Sequence, residues 1–299
     1  MQISEYGGEE DEVIDAWNRS FQEDPLSPVS FRIKVLFNPR FERDLSLVAK
    51  ENHRLLGFVF GQRSGDVGTV DVVFVIPEAR RQKVGTALVR ELLLRLKAKG
   101  VRKVRLGGGI RYFFPGVDVR NEPAIAFFKG LGFSEIDRES VSMGMPIMNY
   151  SIPEEVMTKE KELADEGIRV VPLTPALIPA LFEFLEKEFP DWKEDARWTL
   201  ERFPYDLSMF TVAVKGNEVL GYAQFASDGI LERFGPFGVS SEMRSKGIGA
   251  VIFAHTLMQM KARGARNAWF MWGGGRNTHF YSRYGMKELR RFANMQLAL

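Results

Sequence analysis

Between residues 243 and 250 the chain reads MRSKGIGA. Arg244 and Lys246 bring positive charge, and Gly247 and Gly249 bring backbone with no Cβ. The apolar run ILERFGPFGV (230–239) precedes them and the helix-like VIFAHTLMQMKARG (251–264) follows. The first N–H groups of a helix lack partners and carry partial positive charge, so a strand that ends at a helix start is a ready anion site. Glycines let anionic oxygens approach the backbone closely. Several donors converging on several oxygens suit a pyrophosphate better than a carboxylate. An isolated R-x-x-G-x-G string equally describes a solvated turn, because short motifs match by chance. What separates the two readings is context.

That context occurs twice. Arg80 and Arg244 are 164 residues apart, and so are Gly85 and Gly249, and Gly100 and Gly264. The same offset lays Val48-Ala49 on Val212-Ala213, Leu56-Gly57-Phe58 on Leu220-Gly221-Tyr222, and KAKG (97–100) on KARG (261–264). The register holds without a gap from about residue 48 to 103, the mark of an internal duplication. Each half then reaches a triple glycine (107–109, 273–275) and an aromatic pair with a glycine, FFKGLGF (127–133) and FYSRYGM (280–286). There the offset falls to 153 (281 minus 128), so the first half carries extra residues, RYFFPGVDVRN (111–121). The reading is an N-terminal domain over 1–150, a charged linker or short helix over 151–167, and a C-terminal domain over 168–299.

Periodicity supplies the elements that must position the turn. In the second half IRVVPLT alternates like a strand, and PALIPALFEFLEKEF and DWKEDARWTLERF have helical spacing. MFTVAVKGNEVLGYAQFA reads as a hairpin turning at Lys215-Gly216-Asn217. A strand ending at Val239, the turn, a long helix, the strand ARNAWFMW, a short helix around Tyr281 and a final strand complete the unit. The first half repeats this order: a strand near Ile3, helices near 10–22 and 28–37, and the hairpin LSLVAKENHRLLGFVFGQ.

Composition narrows the function. The 299 residues are 45% hydrophobic and 27% charged, enough for two cores. The chain has no cysteine, which excludes disulfides and thiolate chemistry, and three scattered histidines argue against a metal site. A net charge of +2 sets up no field that would draw nucleic acid or membrane. No apolar run approaches the roughly 18–20 residues of a membrane span, and the acidic start MQISEYGGEEDEV has no signal core. A cytoplasmic location is expected.

The stretch V-S-S-E-M-R-S-K-G-I-G-A (239–250) resembles the V-x-P-x-x-R-x-x-G-x-G/A pattern of the GNAT superfamily of N-acetyltransferases, with Ser241 at the proline. V-I-P-E-A-R-R-Q-K-V-G-T (75–86) keeps Pro77 but has Lys83 at the first glycine. NEPAIAFFKGLGF (121–133) and HFYSRYGM (279–286) resemble the superfamily's N-x-x-A-x-x-F-Y-x-x-x-G-F segment. The resemblance implies an α/β (α+β) fold in tandem, as in mycothiol synthase. Each copy would be a mixed, mostly antiparallel twisted sheet with helices on both faces and a splayed fourth and fifth strand.

The resemblance further implies acetyl-CoA as the cofactor and an amine acceptor, small molecule or peptide, that attacks the thioester directly. Pantetheine would pair with Phe237-Gly238-Val239, and with Val73-Phe74-Val75 in the first copy. The pyrophosphate would lie on Arg244, Ser245, Lys246, Gly247, Ile248, Gly249 and Ala250. The matching first-copy loop is Arg80, Arg81, Gln82, Lys83, Val84, Gly85 and Thr86. An N–H near Val239 would stabilise the oxyanion, Tyr281 would be the general acid, and Glu232 would reach the cleft as base or amine ligand. His279 is a further candidate base.

Phe128 stands at the first copy's tyrosine position and has no proton to give. If position 83 needs φ > 0, lysine there costs about 1 kcal/mol. Catalysis is therefore expected in the C-terminal copy, with the N-terminal copy structural or binding CoA without turnover. The aromatic residues of 111–121 are expected between the copies, or else as a lid. Two other functions stay open: a silent acyl-CoA-binding regulator, and an aminoacyltransferase of the Fem type.

Overall fold

The computed structural model describes residues 1–202 and 206–299, apart from the side chain of Arg276. Phe203, the last residue of the expected helix DWKEDARWTLERF, lies outside the described residues. The chain forms two compact units. Unit 1 comprises Met1–Ser142, Met271–Thr278 and Glu288–Leu299; unit 2 comprises Met143–Phe270 and His279–Lys287.

Along the first half run β1 (Gln2–Glu5), α1 (Glu10–Ser20), α2 (Pro28–Phe31), β2 (Ser46–Glu51), β3 (Arg54–Ser64), β4 (Val67–Val75), α3 (Val84–Ala98), β5 (Lys103–Leu106), β6 (Val117–Asp118), α4 (Glu122–Gly130) and β7 (Ser134–Pro146). The second half continues with α5 (Glu154–Asp165), β8 (Ile168–Pro172), α6 (Ile178–Glu188), α7 (Lys193–Arg202), β9 (Phe210–Lys215), β10 (Glu218–Phe225), β11 (Phe234–Val239), α8 (Ile248–Ala262), β12 (Asn267–Gly273), α9 (Arg276–Arg283) and β13 (Lys287–Ala298). Both expected hairpins form. The first turns at Asn52-His53, both at positive φ (47° and 65°), which suits the twist of the flanking strands.

In unit 1 the strand order is β1-β2-β3-β4-β5-β13-β7. Neighbours from β1 to β4 are antiparallel, and β4 runs parallel to β5 from Val67↔Lys103 to Val70↔Leu106. Successive strand residues face opposite sides. Gly57 and Gly61 of β3 therefore meet Leu88 and Leu92 of α3, while Phe58 packs against Phe31 and Tyr6 on the other face. α3 buries one stripe, Val84, Leu88, Val89, Leu92 and Leu96, at helical spacing.

The last strand of the chain departs from the domain boundaries read in the sequence. Gln296↔Arg105 to Ala298↔Lys103 pair β13 antiparallel with β5, so the end of the second half completes the sheet of unit 1. Two homologous halves ending in similar strands do not reveal which sheet each strand completes. The aromatic residues of 111–121 also settle inside unit 1. Phe113 is buried 4.8 Å from Trp17, and Phe114 lies 6.0 Å from Phe21 and 6.5 Å from Phe292. These partners replace the expected place between the copies, because Trp17 and Phe21 on α1 already offer an apolar face.

In unit 2, β11-β10-β9-β8 form an antiparallel sheet. Gly221 of β10 meets Ile252 of α8, and Tyr222 meets Phe184 of α6 on the opposite face. α8 buries Ile248, Ala250, Val251, Ile252, Phe253, Ala254, Thr256, Leu257 and Met260, far more than one stripe. A helix apolar over most of its circumference needs a second cover. The segment read as a linker supplies it. Val156 and Leu163 of α5 are buried, and His255 of α8 lies 2.8 Å from Glu160 of α5. No helix among the described residues is long and apolar enough to cross a membrane.

Candidate acyl-donor and acceptor site

The site begins where β12 leaves β11. The two strands meet through one parallel bridge, Arg233↔Trp269, with Trp269 N–H donating to Glu232 O (3.0 Å). Beyond it β11 continues to Val239, paired only with β10. Ser240 N–H donates to Leu220 O (2.9 Å) on the β10 side. Consecutive residues of an antiparallel ladder alternate sides, so the N–H groups of Val239 and Phe237 point to the side that β12 has vacated. Gly238 faces α6, where a Cβ would come within 2.6 Å of the Phe189 ring. Phe189 stacks on Trp192 at 4.4 Å and 9°, so glycine is the residue that admits this aromatic wall.

The turn after β11 has the conformation its glycines suggested. Ser245 and Gly247 take φ of 67° and 86°, and Gly247 caps the 15-residue α8. Arg244, Ser245 and Lys246 are exposed, and Arg244 Nε donates to Val239 O (3.4 Å). Ile248 and Ala250 bury their side chains and offer only backbone. Ala250 N–H donates to Gly247 O (3.0 Å), while Ile248 and Gly249 occupy the open end of the helix. Gly249 lies beneath the Phe237 ring, 3.3 Å from its Cβ position. Lys159 of α5 packs on Gly247 so closely that a Cβ there would meet its stem at 2.5 Å. Ser241, at the proline position, uses the N–H that proline lacks: it donates to Glu188 Oε2 (3.0 Å), while Ser240 Oγ donates to Oε1 (3.0 Å).

Tyr281 on α9 enters from the vacated side. Its ring lies 4.5 Å from Phe270, 5.9 Å from Phe253, 6.3 Å from Phe234 and 6.2 Å from Phe237. Burial among these rings pushes its phenol well above the ordinary tyrosine range. Its proton therefore stays in place at neutral pH. Glu232 sits at the closed end of the slot. Its Oε1 accepts from Arg266 N–H (3.0 Å) and Asn267 N–H (3.1 Å), which fastens the start of β12. His279 is exposed on α9.

The first copy reproduces the turn, and past Val70↔Leu106 its strand β4 likewise runs to Val75 paired only with β3. Arg81 and Lys83 take φ of 63° and 64°, and Arg80 Nε donates to Val75 O (3.3 Å). Arg80, Arg81, Gln82 and Lys83 are exposed; Val84 is buried; Gly85 and Thr86 are half-buried at the start of α3. Gln82 Nε2 donates to Glu78 O (3.0 Å). Phe128 is buried beside Phe127 and Phe133.

Asp71 was not singled out in the sequence. It is the extra residue at a bulge of β4, because Phe60 pairs with Val72 and Gly61 with Val70. Its carboxylate is 3% exposed and accepts from Gly109 N–H (3.0 Å) and Thr69 Oγ1 (2.8 Å). Burial raises its pKa to about 6, against the lowering effect of those donors, Gln62 and Arg40. The Asp71–Gly109 bond, with Gly107 N–H on Val70 O (2.8 Å), fastens the chain after β5 to β4 where the two strands part. The position equivalent to Asp71 in unit 2 is Gly235. Laying the two halves over each other at their constant offset exposes this exchange.

The Acetyltransferase (GNAT) family profile matches residues 11–133 and 178–286. The [ribosomal protein bS18]-alanine N-acetyltransferase of Haemophilus influenzae is 30% identical over 117 residues, 39% of this chain and 71% of that protein. Among solved structures, the GCN5-related glucosamine N-acetyltransferase region of a fungal multi-domain GH3 β-N-acetylglucosaminidase superposes over 99% of this chain. Its TM-score is 0.83 at 22% identity, and this chain spans 38% of that protein. A GCN5-related N-acetyltransferase from Sphaerobacter thermophilus gives 0.74 at 15% identity over 99% of this chain and 95% of its own. A tandem GNAT protein from the clavulanic acid biosynthesis pathway gives 0.69 at 15% identity over 99% and 98%. Two family matches in one chain, each over a copy of the same strand–turn–helix, make this protein a tandem member of the GNAT acetyltransferase family.

Proposed function

We propose that the chain is an acetyl-CoA-dependent N-acetyltransferase acting on a primary amine, with catalysis in unit 2. The observation that carries this reading is the free edge of β11 with the Tyr281 ring beside it, where unit 1 has an equally free edge of β4 but Phe128 at the tyrosine position. Past Arg233↔Trp269 the strand pairs on one side only and leads straight into a cationic turn at a helix start. Acetyl-CoA, the donor used by this family, supplies the activated acyl group.

The residues fit such a molecule. Ser245 to Gly249 present backbone at the head of α8 with Arg244 and Lys246 alongside, the donor set a diphosphate needs. Phe237 and Val239 offer outward N–H groups to an extended amide chain, and the Val239 N–H would face negative charge developing on the carbonyl oxygen. Tyr281 keeps its proton beside Phe237, so it would be the group to protonate a thiolate leaving along this edge. Glu232 is engaged with backbone amides, which leaves removal of the ammonium proton to solvent.

The bS18-alanine relative keeps a peptide amine among the acceptor classes, beside small-molecule amines. The test is thiol release from acetyl-CoA over a panel of amines, with melting followed against CoA. Stabilisation by CoA together with amine-dependent thiol release supports the reading. CoA-induced stabilisation without turnover returns the silent acyl-CoA-binding alternative, and no response to CoA ends both.

A further inference from the structure

The constant offset places Tyr222 and Gln224 of β10 over Phe58 and Phe60 of β3. All four side chains are fully buried. In unit 1 this pair is apolar. In unit 2 the Tyr222 hydroxyl and both polar atoms of the Gln224 amide are buried with no hydrogen-bond partner. Each such group is costly to bury, and native interiors rarely leave one unsatisfied. Three such atoms two residues apart on one face of one strand form a concentrated deficit. An apolar pair at the same positions in the sister unit shows that the fold does not require it.

Room exists beside them. Ala223↔Phe237 and Phe225↔Phe234 leave Gln224 opposite Gly235-Pro236, at the bulge that carries Asp71 in unit 1. Gly235 stands at φ 98°, and the nearest atom to its Cβ position is 4.0 Å away. In unit 1 the Asp71 side chain bonds Gln62, which shares a face with Phe58 and Phe60. Gly235 carries no side chain opposite Gln224, which shares its face of β10 with Tyr222. Phe184 and Trp192, 6.2 and 6.3 Å from the Tyr222 ring, wall that face.

We propose that Tyr222, Gln224 and the space at Gly235 bind the acceptor by its neutral hydroxyl groups, so that the preferred substrate is a hydroxylated amine of the amino-sugar or amino-alcohol class. This rests on the acetyltransferase reading of unit 2. A carboxamide both donates and accepts, as a hydroxyl does, and the tyrosine adds a second such group. Along β11 the distance from Gly235 to Phe237 and Val239 is on the order of 7–13 Å at about 3.3 Å per residue. A small polyol holding its amine toward Phe237 and its hydroxyls toward Gln224 fits that span.

The experiment compares glucosamine with cyclohexylamine, amines of similar ring size with and without hydroxyls. Acetyl transfer and ligand-induced melting shifts are followed in the wild type, Gln224→Leu and Tyr222→Phe. The expected result is a wild-type preference for glucosamine of about 10-fold or more in kcat/KM, carried by a lower KM, and that preference falls about 10-fold in Gln224→Leu and less in Tyr222→Phe. The apo melting temperature of Gln224→Leu is expected to hold or rise, because a buried amide without partners has been removed. A glucosamine-to-cyclohexylamine ratio that Gln224→Leu does not change overturns the proposal. So does a fall in melting temperature of several degrees with that ratio intact, which would make Gln224 structural. If neither amine is acetylated, the acetyltransferase reading is decided separately by thiol release over the wider amine panel. The melting shifts then decide: equal shifts by both amines overturn the pocket, and a glucosamine-specific shift lost in Gln224→Leu supports it.

Discussion

Two βα turns of nearly identical backbone serve two different gaps. At 80–84 and 244–248 the chain goes through the same left-handed steps, and each arginine grips the last carbonyl of its strand. The strands that lead into them differ. β4 carries Phe74, packed on Trp17 and Phe21 of α1, and Asp71, bonded across to Gly109. β11 carries Gly238, whose place is taken by the Phe189 ring, and Gly235, which leaves space. In unit 1 the strand fills its own surroundings, and the Asp71–Gly109 bond fastens the chain after β5 to β4 where the two strands part. In unit 2 glycines hand the volume to neighbours and to whatever binds. A shared loop geometry therefore does not by itself distinguish the copies; the residues six and nine positions before each turn's arginine do.

The sharpest way to break that contrast is Tyr281→Phe, which gives unit 2 the residue unit 1 has at Phe128. Proton transfer by a placed side chain contributes about 10²–10⁴-fold. We expect kcat to fall about 10²-fold or more with CoA-induced stabilisation intact, read by stopped-time thiol release. Because burial raises the phenol's pKa, the wild-type rate should show no alkaline fall through pH 9. Unchanged kcat in the variant would remove Tyr281 from the reaction.

Asp71→Asn tests the other side. The folded pKa of about 6 lies above the ordinary unfolded value of about 3.9. The folded state thus binds the proton more tightly, and stability attributable to this group falls as pH rises from about 4 to 6, then stays level. The neutral asparagine escapes that penalty, which is at most about 3 kcal/mol by linkage, and keeps an oxygen for Gly109 N–H. Melting of the variant should exceed wild type at pH 8 and converge with it near pH 4, while turnover persists. Loss of turnover would move catalysis to unit 1.

Charge removal separates the loops next. Arg244→Ala with Lys246→Ala should weaken CoA binding about 10-fold, since each lost charge-assisted bond is worth roughly 1.5–3 kcal/mol before solvent screening of these exposed groups. Arg80→Ala with Lys83→Ala should change it less than about 2-fold, read by calorimetric titration. Comparable losses from both pairs would mean that both copies hold CoA.

Much of this was legible in the chain. Strand-to-helix context and duplication pointed to the turn at 244–250, and both hairpins and the aromatic–glycine segment fell where periodicity put them. Three features were not legible, for different reasons. Lysine is a poor marker of left-handed backbone, so Lys83 read as a defect although the loop keeps its shape. The strand β13 reads the same whichever sheet it completes, and pairing with β5 is a long-range choice. Tyr222 and Gln224 looked like ordinary members of a hairpin; only subtraction of one half from the other isolates them against Phe58 and Phe60.

The smallest effect comes from exchanging the residues at the two helix caps. Lys83 sits at φ 64°, where a Cβ costs about 1–2 kcal/mol, while glycine loses roughly 0.5–1 kcal/mol of that advantage through the freedom it surrenders on folding. Lys83→Gly should therefore raise the melting temperature slightly. Gly247→Lys is not its mirror image. At φ 86° it takes on the same backbone cost, and its Cβ also meets the Lys159 stem at 2.5 Å. Lys83 is exposed at the equivalent cap in unit 1. Lys159 can swing away at modest cost, but its ammonium, now paired with Glu162, would then share the turn with another lysine. The two melting shifts should thus be opposite in sign, with the loss in Gly247→Lys larger than the gain in Lys83→Gly. Equal and opposite shifts would mean that backbone conformation alone decides the cap and that α5 places no demand on the turn.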